Sequence, residues 1–251
     1  FPSITDAFLN YFDVDLATSA SQRDQIGQIR YRVYCEEFGY EPAAEFENKR
    51  EADSYDDYSL HCLITHKRSG LPAGCVRLVC ATQHHELPLE THCLENVYVD
   101  YLDPLMNGDR DQVCEFSRLA VDAAFRKRPG EEHTRLGEFD AMDCCHQEQR
   151  TFSLVGVASF LAAFALANLA QRDQIYAMME ANLPRLLRRA GILVQQAGDT
   201  MEYHGQRSPY FITTDLALAN MREDLHGLYD AIYERLAYSY HGEAAETAVS
   251  A

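Results

Sequence analysis

The sequence predicts an α/β protein, a mixed sheet with helices on both faces. Three observations lead there. Strand-like and helical runs alternate along most of the chain. Residues 59–66 and 73–82 are apolar runs joined by Arg68-Ser69-Gly70-Leu71-Pro72, which reads as a hairpin. A strand ending near Val121 gives way to a long apolar helix that starts at Ser153.

Taken in order, residues 22–38 carry Ile26, Ile29, Val33 and Tyr34 at helical spacing, with Gly39 as a stop. Residues 41–57 are acidic and irregular and read as a loop. After the hairpin, residues 84–111 are polar, carry Pro88, Pro104 and Gly108, and read as loop with short helical pieces. Residues 112–121 are the next strand. Residues 126–150 are charged and broken by Pro129-Gly130. Residues 153–170 are nearly all apolar and rich in small residues. They are short for a membrane span, so a buried core helix is expected and no stable span. Residues 174–179 are a short strand, and residues 183–190 a helix ended by Gly191. Residues 192–196 and 210–213 read as late strands, and 216–238 as a final helix. We expect one domain over residues 1–251, with 216–240 as a C-terminal helical extension.

The totals exclude several function classes. A chain of 251 residues can bury one large core. With 47% apolar and 24% charged residues it has the composition of an ordinary globular protein. The net charge of −17 argues against broad contact with nucleic acid or anionic lipid, which need basic surfaces. The eight cysteines form no CxxC pattern and fit free thiols in a reducing cytoplasm. Cys144-Cys145-His146 lacks the ligand spacing of a zinc site, so no metal is expected. No secretory signal is legible in the residues present.

The chemistry-bearing feature is a set of charges placed where burial is expected. Arg30 lies within the first helix. Asp53 and Asp56 follow in "ADSYDD". Arg77 interrupts "GCVRLVC", and Glu115 and Arg118 interrupt "CEFSRLAVD". Each alone reads as a member of a satisfied ion-pair network. Together they point to a functional site, where perturbed charges gather.

Their spacing resembles a family. Arg30-x-x-Val33-Tyr34-x-x-Glu37, Asp53-x-Tyr55-Asp56, Gly74-x-x-Arg77 and Glu115-x-Ser117-Arg118 are similar to the signature of the autoinducer (acyl-homoserine lactone) synthases. With the N-acyl amino acid synthases, these form a branch of the GNAT acyltransferase superfamily. The run "EFSRLAVDAAFRKR" is most similar to the PEP-CTERM/exosortase system-associated acyltransferases. Two departures stand out. Trp is absent, and Phe38 or Tyr40 stands where autoinducer synthases carry Trp near the end of the first helix. No Q/R-x-x-G-x-G/A loop follows the central strand, which argues against acetyl-CoA and towards a carrier-protein thioester.

The resemblance implies a GNAT fold and transfer of a fatty acyl group from acyl carrier protein (ACP), with acyl-CoA as another donor, to a small-molecule amine. No tightly bound cofactor is implied. Glu115 is the candidate general base, with Ser117 and Arg118 beside it. A backbone N–H within Phe116 to Leu119 is the candidate oxyanion donor. Arg118 has two readings: it holds Glu115 or an acceptor carboxylate, or it locks the strand to the Asp53/Asp56 loop. Arg30, Arg77, Asp53 and Asp56 would shape the acceptor pocket, with Tyr34 and Phe38 at its wall. An acidic carrier needs a local basic patch on so acidic a chain. Arg126, Lys127 and Arg128 form one candidate, and Arg185, Arg188 and Arg189, on one helical face, form another. Rival readings are a homoserine-lactone synthase using S-adenosylmethionine, a non-catalytic lipid- or carrier-binding GNAT scaffold, and an ordinary acetyl-CoA transferase.

Overall fold

The computed structural model describes residues 3–126 and 145–249. Eight strands among them form one mixed sheet: β1 (Phe12–Leu16), β2 (Ser59–His66), β3 (Pro72–Cys80), β4 (Val113–Val121), β5 (Gln174–Met179), β6 (Gln195–Gln196), β7 (Met201–Glu202) and β8 (Gln206–Thr213). Their order is β1-β2-β3-β4-β5-β8-β6, with β7 also paired to β8. Every pairing is antiparallel except β4 with β5, which is parallel.

One face of the sheet is covered by α6 (Val155–Leu169), backed by α9 (Glu223–Val249) and α1 (Ile4–Tyr11). The apolar run behaves as expected: thirteen of the fifteen residues of α6 are buried. Such a helix is apolar all round because protein surrounds it. No helix among the described residues is long and apolar enough to cross a membrane. Gly74 on β3 permits the close approach of α6, since a Cβ there would lie 2.9 Å from Val155 Cγ1. The other face carries α2 (Ala20–Arg30), the short helices α3 (Pro88–His92) and α4 (Asp103–Met106), and the loops around them. A reciprocal cap opens α2, Ser19 Oγ accepting from the Gln22 N–H while Gln22 Oε1 accepts from the Ser19 N–H. The helix predicted over 22–38 then widens into a π-helix over Tyr31–Glu37 and stops at Gly39, whose φ is +64°. The remaining helices are α5 (His146–Phe152), α7 (Asn182–Arg189) and α8 (Thr214–Asn220).

Three expectations need correction. No element was expected before residue 22, yet α1 and β1 are there, β1 alternating buried Phe12, Val14 and Leu16 with Asp13 and Asp15. The final helix is two helices, α8 and α9. The chain between them crosses closely over Gly191, where the Arg222 N–H donates to Ala190 O, so Met221 must be extended. Of residues 192–196 only Gln195 and Gln196 pair, while β8 begins four residues before the expected 210.

Candidate active site

The site is built around an irregularity in β4. Cys75 pairs with Ala120 and Arg77 with Ser117, so a two-residue step on β3 faces a three-residue step on β4. The extra residue is a β-bulge at Arg118, which takes φ +48°, a left-handed conformation that a long side chain adopts only when its surroundings impose it. On its other side β4 pairs with β5 only from Val113 to Phe116, the last partner being Ala177. Beyond that point the two strands part. A cavity of about 670 Å³ opens between them, lined by Ser117 to Val121 from β4 and Ala177 to Met179 from β5. Phe125, Phe152, Gly156 and Phe160 make an apolar end, and Tyr40, Glu115, Glu180, Tyr203 and Arg207 a polar one.

What imposes the bulge is the charged cluster. Arg118 donates through Nε to Glu51 Oε1 at 3.1 Å and through Nη2 to Glu41 Oε1 at 3.0 Å, and Nη2 lies 3.0 Å from Asp53 Oδ2. Its guanidinium also covers the Tyr34 ring at 5.4 Å, and the Tyr34 hydroxyl donates to Leu119 O at 2.9 Å. Arg77 pairs with Asp53 and with Asp56, the latter at 2.7 Å, and donates from Nε to Ser117 Oγ at 3.0 Å. Arg30 pairs with Glu51 and, at 2.7 Å, with Asp56. Arg30, Arg77 and Glu51 are each 1% exposed. Burial would raise the carboxyls of Asp53 and Asp56, but the guanidiniums of Arg77 and Arg30 more than offset it and hold both below the usual range. Burial works against the positive charge of Arg30 and Arg118, and the adjacent carboxylates reverse its effect.

Arg118 therefore locks the strand to the loop, with three carboxylates around it, and no hydrogen bond joins it to Glu115. Glu115 is the exception in the group. It is 2% exposed, lines the cavity, and has no ion-pair partner among the described residues; Oε2 accepts from the Leu89 N–H at 2.8 Å. Burial pushes its carboxyl up to about 8, only partly opposed by that hydrogen bond. Such a group gains and loses a proton near neutral pH.

The expected site residues divide in two. Tyr34, Phe38, Glu115, Phe116, Ser117, Arg118, Leu119 and Arg126 line the cavity. Arg30, Asp53, Asp56 and Arg77 stand behind it, within the ion network. Arg126 pairs with Glu37 and lies over the half-exposed Phe38 ring, while Lys127 and Arg128 fall outside the described residues. Arg185, Arg188 and Arg189 are exposed on α7, the helix whose Asn182, Leu183 and Leu186 line the cavity. Glu41, Glu51, Glu180, Tyr203 and Arg207 were not anticipated. Glu51, two residues before the Asp53 motif, was the one a closer reading could have reached. No cluster of His, Cys, Asp or Glu among the described residues could hold a metal ion.

Residues 29–135 match the family model described as acetyltransferase (GNAT) domain. No curated protein matches the sequence. Among solved structures, TofI in a ternary complex with an inhibitor and MTA is 21% identical, with a TM-score of 0.60 over 84% of this chain and 95% of that one. FeeM, an N-acyl amino acid synthase from uncultured soil microbes, is 12% identical, with a TM-score of 0.55 over 84% and 94%. BjaI, a CoA-dependent acyl-homoserine lactone synthase with SAM and isopentyl-CoA, is 17% identical, with a TM-score of 0.55 over 88% and 89%. The chain has the GNAT fold.

Proposed function

We propose that this GNAT-fold acyltransferase moves a fatty acyl group from a pantetheine thioester, carried by ACP, to the amine of an amino acid or related small molecule. The observation that carries the reading is Glu115: a buried carboxyl without an ionic partner, on the bulged strand and facing the cavity where β4 and β5 part. Pantetheine is peptide-like and suits the unpaired edges of two separated strands. The acyl chain suits the end lined by Phe125, Phe152 and Phe160.

In this reading the amine nitrogen attacks the thioester carbon. Ionised Glu115 takes the proton, directly or through one water. Negative charge then develops on the carbonyl oxygen, where a backbone N–H of the bulge, from Phe116 to Leu119, supplies a fixed donor. Collapse breaks the C–S bond. The thiolate leaves with one proton as the carrier thiol, and the nitrogen keeps the acyl group as an amide. Ser117 is held by Arg77 and positions the strand beside Glu115.

The donor assignment rests on charge. A chain at −17 repels an acidic carrier except at a basic focus. Arg126 lines the cavity, Lys127 and Arg128 being the next residues in sequence, and the helix that carries Arg185, Arg188 and Arg189 lines it through Asn182, Leu183 and Leu186. The run from Glu115 to Arg128 supports placing the chain with the PEP-CTERM/exosortase system-associated acyltransferases. A second reading, homoserine-lactone synthesis from S-adenosylmethionine, is favoured by the MTA and SAM held by the neighbours TofI and BjaI. Mass spectrometry of lipids from cells overexpressing the wild type and Glu115→Gln tests the proposal. An N-acylated amine that accumulates with the wild type alone is expected, lactone products select the second reading, and no acylated amine refutes both.

A further inference from the structure

The polar end of the cavity contains a cation whose bonding is incomplete. Arg207, on β8, lines it. Its Nε is buried without a hydrogen-bond partner, and its nearest carboxylate, Glu180 Oε1, is 3.6 Å from Nη2, beyond a proper hydrogen bond. Glu180 instead accepts from the Tyr40 hydroxyl at 2.9 Å, and the Arg207 guanidinium lies over the Tyr40 ring at 5.2 Å. Arg30 and Arg77 also leave one nitrogen unbonded, but each is close to two carboxylates on its other nitrogens and neither lines the cavity. Arg118 and Arg126 line it and are paired, and Arg150, which also lines it, is exposed to solvent on α5. Arg207 is held in place by stacking, with Nε left without an acceptor.

We propose that Arg207 is the residue that binds the acceptor's carboxylate and so selects amino acids over their carboxamides. This rests on the amine-acylation reading above and assigns the residue that sets its acceptor specificity. The surroundings support it. Glu115 and Glu180 line the cavity here, and a fixed cation beside them favours an anionic group of the acceptor. The Arg fork matches a carboxylate with two parallel donors. The amino group of the same zwitterion would then meet carboxylates and not arginine. Tyr203, in the turn between β7 and β8, is close enough to Glu115 for that carboxyl, after burial, to help push its phenol up. β4 and β8 thus bring Glu115 and Arg207 to the wall of one cavity.

The test uses the purified full chain, saturated acyl-ACP thioesters, and two acceptor mixtures: the standard amino acids, and the same set as carboxamides. The products with the wild type should carry free carboxylates. Arg207→Gln should lower the ratio of kcat/KM for acid over amide roughly 10- to 100-fold, the usual scale for one charge-assisted contact. Arg207→Lys, which keeps the charge without the fork, should fall between, and it serves as the readout if the Gln variant does not fold by circular dichroism. Equal acylation of amides and acids by the wild type, or an unchanged ratio in a folded variant, overturns this inference and leaves amine acylation standing. No acylated amine in either mixture overturns both.

Discussion

Replacing Glu115 by Gln separates its two possible employments, proton acceptor and packing group. The carboxyl is raised from 4.5 to about 8 by burial. With a pKa near 8, about one site in ten is ionised at pH 7, and that fraction grows tenfold per unit below the pKa. The wild-type kcat/KM should therefore climb through neutral pH and level off above about 8. The direction for stability is opposite. A group whose folded pKa is raised favours the folded state fully below its unfolded value of 4.5, and that contribution is lost as pH rises through about 8. The shift corresponds to about 5 kcal/mol as an upper figure. Gln keeps an oxygen for the Leu89 N–H but cannot ionise. We expect Glu115→Gln to fold, to lose about 10²-fold or more in acyl transfer, and to lose less stability than the wild type as pH rises from 4.5 to about 8. The assay is thiol release from acyl-ACP across pH, with urea unfolding in parallel. Any pH dependence left in the variant belongs to the acceptor amine. Wild-type turnover in folded Glu115→Gln would refute the assignment, and so would a wild-type profile flat through pH 8.

Charge reversal across Arg126, Lys127 and Arg128 should raise KM for acyl-ACP and affect a short pantetheine thioester far less, because rim charges act on encounter more than on chemistry; equal slowing of both donors would sink carrier docking there. Arg77→Met leaves Asp53 and Asp56 with one guanidinium fewer and should destabilise the fold by about 3–5 kcal/mol in urea unfolding, as broken buried pairs do. Gly74→Ala overpacks Val155 and should cost about 1–3 kcal/mol, relieved in part by Val155→Ala. His61, depressed to about 4 chiefly by burial, binds a proton more weakly folded than unfolded, so stability should fall as pH drops from 6.5 towards 4, and His61→Gln should flatten that part of the curve.

The long, strongly patterned elements were legible in the sequence because one physical term dominates each. α6 is apolar on every side, and β2 and β3 are joined by a turn marked by Gly70 and Pro72, so no tertiary information was required. β1 is only five residues long, and its Asp-Val-Asp alternation is diluted by its neighbours. The break between α8 and α9 follows from Gly191, some thirty residues earlier, and nothing in residues 216–238 announces it. The six charged positions were legible as a group, since charge inside an apolar strand is costly. Their pairing was not. Glu51 sits in an acidic stretch that reads as solvated loop, and its partners Arg30 and Arg118 come from distant elements. Arg207 was hidden for the same reason: one arginine in "GQRSPY" carries no pattern, and only the hairpin brings it to the cavity.

The ion network also constrains how the molecule reaches its native state. Its members come from positions 30, 41, 51, 53, 56, 77 and 118, so α2, the acidic loop, β3 and β4 must all be in place before it is complete. Docking β4 on β3 before the loop is in place would bury Arg77 and Arg118 with few counter-ions, and packing α2 first would do the same to Arg30. Half-built intermediates on this side of the sheet are therefore high in free energy, and the transition state must wait for contacts spanning nearly ninety residues. Refolding should be slow for the chain's length, as non-local topologies are, and native-state hydrogen exchange should find α2, the Asp53 loop, β3 and β4 opening together as a single foldon.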